Sequence, residues 1–577
     1  MKIKHYFGLA VIAAMTASCS SNEDLGTAGP GTGTNEAGVG YATFTINLPS
    51  VSGTRAADAG GAEMNEGTPE EYAVKSATAL IFQKYGADEG SYKFVESVTL
   101  PIDGWTDDPE DGITTTSKKL VAKLTNVDTK NDYSVLILLN NKNVKLPTVG
   151  QSYNDWNSKN ILTPSVTDWA GSDGFYMANA PLKGSAASPA TLVPIDKDKI
   201  YASEAKAKED ASTCAATVYV ERGVAKMTVA DPGTITVKDK ATNTDTESTV
   251  KFSNWALDIT NKKTYAVHNI DGLKSDFGDI WKTDPSNRFI GTNNRVYWGK
   301  DPNYDNNDLK LTDKDADRQA EFNFITATSE INKDFTNATI TNPVYCLENT
   351  FNLTNMYQGQ TTRVIFKAKY TPKDGLAETD GTFYTIGNMT TILKKADLET
   401  AVNAAATSVL SGCTVDYTNL ETEGGSHVIT TADIKDDTGK ALVADKDYSG
   451  KTGTQIVKEI NDKLGLTDGA GRAEAMVGIN TYLEGETYYI ARVKHFGDAL
   501  TEWNSGENYG ENNDKYLGRY GMLRNNWYEL TVGNVYGPGY PGVPPVDPTL
   551  PDDENEKYLN VSVKILSWAK RSQSVDL

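Results

Sequence analysis

Apolar and polar residues alternate strictly from Ala42 to Leu48 (Ala-Thr-Phe-Thr-Ile-Asn-Leu), and this is the first structural signal in the chain. A period of two places Ala42, Phe44, Ile46 and Leu48 on one face of a strand, and Pro49 stops it because proline has no N–H for a ladder. Further strand-like runs at Ala77 to Phe82, Lys93 to Leu100, Tyr133 to Leu139 and Ala216 to Val229 lie between loops rich in Asp, Gly and Asn. Asp231-Pro232-Gly233 is a strong turn signal after the last of these, so a domain boundary is expected there. Strands around Val250 to Ile259, Thr264 to Asn269, Thr362 to Tyr370, Tyr488 to Phe496 and Trp527 to Val532 then predict a second β domain. Two stretches carry a helical period instead. One has Leu398, Val402, Ala405 and Val409 on a face; the other has Ile456, Val457, Ile460 and Leu464, stopped by Gly465. They read as insertions on a β scaffold, and the fold class is mostly β.

The chain closes on a second alternating strand. Leu559, Val561, Val563 and Ile565 alternate with Asn560, Ser562 and Lys564, and the phase slips at Leu566 before Trp568. Ahead of it, 537–556 holds Pro538, Pro541, Pro544, Pro545, Pro548 and Pro551, followed by acidic residues. Polyproline geometry, at about 3.1 Å per residue, would let this stretch bridge roughly 50 to 60 Å, more than the width of one domain. The last strand is therefore expected on a long leash.

At the other end, Lys2 and Lys4 precede an apolar run from Phe7 to Met15, a targeting segment too short to span a bilayer. It ends at Thr16-Ala17-Ser18-Cys19, the pattern of a lipobox, where cleavage falls before a lipidated Cys19; an ordinary signal peptide with a cysteine at its end is the alternative. Residues 20–40 are Gly-rich and read as a tether. Past the first strand, a loop of small residues carries Arg55 ahead of Ala56, an easy protease target. The expected division is 1–19 signal peptide, 20–55 tether and removable strand, 56–230 first β-sandwich domain, 231–536 second, and 537–577 linker and terminal strand.

At 577 residues the chain is too long for one core. Its formal charge of −21 repels phosphate backbones, which argues against nucleic acid as a partner. Apart from Cys19, the cysteines Cys214, Cys346 and Cys413 are widely spaced with no CxxC, so buried thiols are expected rather than a disulfide framework. The histidines His5, His268, His427 and His495 are scattered, with no HExxH and no Cys/His ligand set. Gly450-Lys451-Thr452 lacks the upstream Gly of a phosphate loop, since Asp445 stands there, and reads as the turn before a helix. Asp313, Asp315 and Asp317 have the spacing of a calcium loop, but Arg318 replaces its Gly and Phe324 its bidentate Glu, so a solvated acidic loop is the stronger reading. Neither an enzyme nor a cofactor or metal is predicted.

The two end strands are the informative pair, because each carries four alternating apolar residues and one could replace the other. If cutting after Arg55 released the first strand, it would expose a groove that Leu559, Val561, Val563 and Ile565 of a neighbour could fill. Donor and groove would then lie at opposite ends of each subunit, which builds an open filament. Two ordinary edge strands of one monomer are the alternative that the residues alone leave open.

Five segments stand out in order along the chain: Tyr219-Val-Glu-Arg-Gly-Val-Ala-Lys-Met227, Trp255-Ala-Leu with Asn261-Lys-Lys-Thr-Tyr265, Cys346-Leu-Glu-Asn-Thr350 with Thr361 to Pro372, Leu523-Arg-Asn-Asn-Trp-Tyr528, and the ending Val561 to Trp568 with Ser574 to Leu577. In these the chain resembles the Bacteroidetes fimbrillins, the type V pilins of the FimA-like and Mfa-like kind. The resemblance implies two transthyretin-like β-sandwich domains, an outer-membrane lipoprotein precursor anchored through Cys19, and cutting between Arg55 and Ala56 by an arginine-specific or trypsin-like protease. It implies a shaft subunit of an extracellular fimbrium that assembles with copies of itself and with accessory subunits and supports adhesion. The donor would be the strand with Leu559, Val561, Val563, Ile565, Leu566 and Trp568. A tip or anchor subunit, or a surface glycan-binding lipoprotein, is the alternative.

Overall fold

The computed structural model describes residues 33–568 apart from 36–37, 50–63, 66, 104, 106, 109–112, 115–116, 184–188, 210–212, 271–288, 290–294, 305–314, 336–341, 351–354, 388, 390, 420–423, 467–477, 497–500, 502–515, 547–550 and 553–558. Strands dominate, as the alternation predicts. The first alternating run forms β1 (Gly40–Asn47). It pairs along its length with the antiparallel β2 (Ser117–Leu124), and from Thr43 with the parallel β3 (Cys214–Arg222). Beyond Tyr219, β3 pairs instead with Met177–Asn179. From there the sheet continues through Tyr133–Leu139, Ala77–Gln83 and Lys93–Thr99. The strands close on one apolar core that includes Phe44, Ile46, Leu80, Phe82, Leu136, Val218 and Trp169.

The expected single strand from Ala216 to Val229 is broken at Gly223. Its first part is β3; its second part, β4 (Val224–Val229), belongs to another sheet. A Cβ at Gly223 would stand 2.6 Å from the Trp169 ring, so only glycine lets the backbone pass this close. β4 runs parallel to β5 (Asn526–Val535), which pairs antiparallel with β6 (Leu559–Trp568); Met64–Asn65 and Val344–Leu347 flank the sheet. A four-stranded antiparallel sheet of Thr234–Lys238, Asp245–Asp258, Arg363–Thr371 and Glu486–Arg492 shares a second core with it, built on Met227, Phe252, Phe366, Tyr489 and Tyr528.

The two predicted helices fall in one insertion. α1 (Lys395–Val409) and α2 (Gly453–Leu464) pack with the small sheet of Phe383–Ile386, Gly425–His427 and Ile479–Tyr482 around a separate core of Leu398, Val402, Ile456 and Ile460. Thr452 caps α2 by accepting from Gln455 N at 3.3 Å, and Gly465 ends it at φ +70°, so the Gly450-Lys451-Thr452 run is a turn into a helix.

The proline-rich segment is docked rather than free over its described residues 537–546. Arg363 donates from Nη2 to Pro544 O (2.6 Å) and from Nη1 to Pro545 O (3.1 Å), while Tyr489 and Tyr482 hydroxyls donate to Gly537 O and Gly539 O at 2.9 and 2.8 Å. Tyr540 exchanges backbone hydrogen bonds with Tyr488 at 2.6 and 2.8 Å. Extended proline-rich backbone leaves its carbonyls unpaired, and here the second domain's Arg and Tyr side chains supply the donors.

Candidate assembly site

β1 sits inside its sheet and not at an edge, where the alternative of an ordinary edge strand would have it. Ala42, Phe44 and Ile46 are fully buried and Leu48 is 2% exposed. The polar face is held as well. Thr43, itself buried, donates its hydroxyl to Ala207 O; Thr45 Oγ1 lies 3.1 Å from Cys214 Sγ; and Asn47 Nδ2 donates to Val218 O at 3.2 Å. Ile200–Tyr201 pairs antiparallel with Tyr41 and Ala42 at the strand's start. Loss of β1 would therefore open a slot with the β2 ladder on one side and the β3 ladder on the other, floored by the first core. Phe44, Ile46 and Leu48 are worth roughly 1.5 to 3 kcal/mol each when buried.

β6 is held differently. It pairs with β5 from Leu559 opposite Val535 to Ser567 opposite Asn526, and on its other edge meets only Met64–Asn65, at Ser567 and Trp568, among the described residues. Val561, Val563 and Ile565 stand opposite Val532, Leu530 and Tyr528, all buried in the second core. Leu566 stands opposite Trp527, whose ring packs in the first core. β5 thus runs between the two cores, with Trp527 in the first and Tyr528 in the second. The register shift lies elsewhere, between Val532 and Asn534 of β5. Cys19, Arg55 and Ala56 lie outside the described residues.

Between the two cores runs a chain of buried charges that the sequence did not announce. Lys226 and Glu71 pair at 2.6 Å with both side chains fully buried; Tyr345 OH donates to Glu71 at 2.6 Å, and Lys226 Nζ lies 3.6 Å from the centre of the Trp527 ring. Burial drives the Lys226 ammonium down to about 8 against the upward pull of Glu71. Glu221, at the end of β3, contacts Arg295 and His268 Nδ1 (3.0 Å), while Arg524 pairs with Glu348 at 2.9 Å. Burial pushes the Glu221 carboxyl up, but Arg295 and His268 outweigh it and hold it at about 2. His268 is thus part of a polar junction and not isolated, and His495 accepts or donates to Tyr528 OH at 2.7 Å. These members come from residues 71 to 524, so no local spacing could have shown them together.

Cys346 and Cys413 are buried thiols, and burial raises the Cys346 thiol to about 12. Cys214 departs from the expectation, being half-buried at the margin of β1. Asp315 and Asp317 lie in a short helix (Asp315–Glu321), and Asp313 is outside the described residues. Among the described residues no group of three or more His, Cys, Asp or Glu could hold a metal ion, and no helix is long and apolar enough to cross a membrane.

Residues 480–574, which include β5 and β6, match the protein family described as "Major fimbrial subunit protein type IV, Fimbrillin, C-terminal". Over this region the chain is fimbrillin-like, and the match supports a role as a fimbrial subunit at the cell surface. No curated protein sequence matches the chain. A solved structure of a candidate cell adhesion protein from Parabacteroides distasonis ATCC 8503 is similar over 92% of this chain and 99% of that one, at 10% identity and a TM-score of 0.38.

Proposed function

We propose that this chain is the shaft subunit of a cell-surface fimbria and polymerises by protease-activated strand exchange. The precursor is anchored through a lipid on Cys19. A trypsin-like or arginine-specific protease cuts between Arg55 and Ala56, β1 leaves with the propeptide, and the terminal strand of a neighbour takes its place. Accessory subunits join the same fibre and it supports adhesion. The single observation that carries this reading is the placement of β1. Its apolar face is buried, it has a ladder on each side, and in the sequence it lies just ahead of Arg55. Its removal creates an apolar slot with two unsatisfied edges, a state that recruits a strand of matching pattern.

The test is Arg55→Ala expressed on cells. The variant is expected to stay full-length and monomeric, with its mass unchanged after protease treatment that trims the parent. Fibres built from uncut Arg55→Ala protein would refute the mechanism.

A further inference from the structure

The slot that β1 fills admits one alignment of its replacement. We propose that the terminal strand of a second copy enters in the direction of β1, with Leu559, Val561, Val563 and Ile565 in the sites of Ala42, Phe44, Ile46 and Leu48, which sets Ser562 beside Cys214. This rests on the strand-exchange reading above and adds the register.

Four features of the slot select it. The sites of Ala42, Phe44, Ile46 and Leu48 are closed to water, and in this alignment each receives an aliphatic residue. The site of Thr43 is only 3% exposed and presents Ala207 O, which accepts from the Thr43 hydroxyl, so a small occupant with a donor fits it; the Asn560 amide is one. The site of Thr45 is open enough for a hydroxyl against the Cys214 thiol, and Ser562 restores one. The half-buried site of Asn47, opposite Ser117 of β2, takes Lys564, whose long stem reaches water.

Neighbouring alignments fail on charge. A shift of two residues one way puts Lys557 into the fully buried site of Ala42. A shift of two the other way puts Ser567 into the site of Leu48 and Lys564 into that of Thr45, directly opposite Lys119. Shifts by one residue turn Leu559, Val561, Val563 and Ile565 to the wrong face. Register is thus set by where the donor's lysines can stand, while the aliphatic residues supply the affinity.

A native thiol makes this measurable. In processed filaments of Ser562→Cys, the oxidant diamide takes up the two protons and two electrons released as two thiols join. It is expected to link residue 562 of one subunit to Cys214 of the next, giving a non-reducing ladder at least tenfold stronger than with Asn560→Cys or Lys564→Cys. Thr45→Cys in the uncut precursor calibrates the reach by closing onto Cys214 within one chain. In a Cys214→Ser background, Ser117→Cys should pair with Lys564→Cys; pairing with Asn560→Cys would overturn the direction. A Cys214-dependent ladder strongest at 560 or 564 overturns the register and leaves strand exchange standing. Filaments that give no such ladder at any of the three positions, with the Thr45→Cys control closed, overturn strand exchange itself.

Discussion

β1 and β6 carry the same alternation and are held in opposite ways. β1 has a ladder on both edges and hydrogen bonds or close contacts from Thr43, Thr45 and Asn47 to the elements around it. β6 has one full ladder, with β5, and a two-residue contact on the other edge among the described residues. Alternation tells which residues form a strand and which face is apolar; it does not tell how many neighbours hold that strand. The difference suits the proposed exchange, since β1 has to be cut loose whereas β6 needs only to peel from one partner.

Deleting residues 558–577 tests the comparison most severely. The expected outcome is complete loss of polymer while the processed protein still folds, read by electron microscopy and circular dichroism; SDS-resistant ladders from the truncated protein would show that β6 is not the donor. Phe44→Ala should cost the uncut precursor about 3 to 5 kcal/mol in denaturant unfolding and leave finished fibres unaffected, because the residue has left with the propeptide. Destabilised fibres would mean that β1 stays in place.

A third experiment separates the strands from the junction between the cores. The Glu221 carboxyl is held at about 2, below its usual 4.5, so its contribution is fully present above pH 4.5 and is lost as the pH falls towards 2. That contribution is roughly 3 kcal/mol. Glu221→Gln should flatten the acid limb of the melting-temperature profile while changing polymerisation at neutral pH little. A variant that polymerises faster at neutral pH would tie strand release to the junction. The smallest effect is expected from Asn47→Ala, which removes one half-buried hydrogen bond to Val218 O and should lower precursor stability by about 0.5 to 1.5 kcal/mol.

Much of the scaffold was legible: β1 shows a period of two, while Ala77–Gln83, Tyr133–Leu139 and Arg363–Thr371 lie where runs rich in apolar and β-branched residues stand between polar loops, and both helices lie where a period near 3.6 puts them. The antiparallel partner of β1 was missed. In β2, Ser117, Lys118 and Lys119 mask the signal, although Leu120, Ala122 and Leu124 alternate and are buried. Strands of two or three residues, such as Ile200–Tyr201, are too short to show a period. At the break, Gly223 stands in the sequence as the one visible sign; what it accommodates is the Trp169 ring, contributed from a distant segment. The docking of the proline segment was hidden, since it depends on Arg363 and three tyrosines from elsewhere in the chain.

The crossing at Gly223 also bears on mechanics. In a fibre assembled as proposed, traction enters a subunit where the neighbour's tail is gripped between β2 and β3 and leaves from the half of the molecule that holds β5. β3 and β4 are consecutive stretches of one polypeptide, so that pull passes from one half to the other along covalent backbone and does not depend on side-chain contacts to carry it. The weakest joint under tension would then be the grip on the borrowed tail, loaded lengthwise so that all its rungs must shear together.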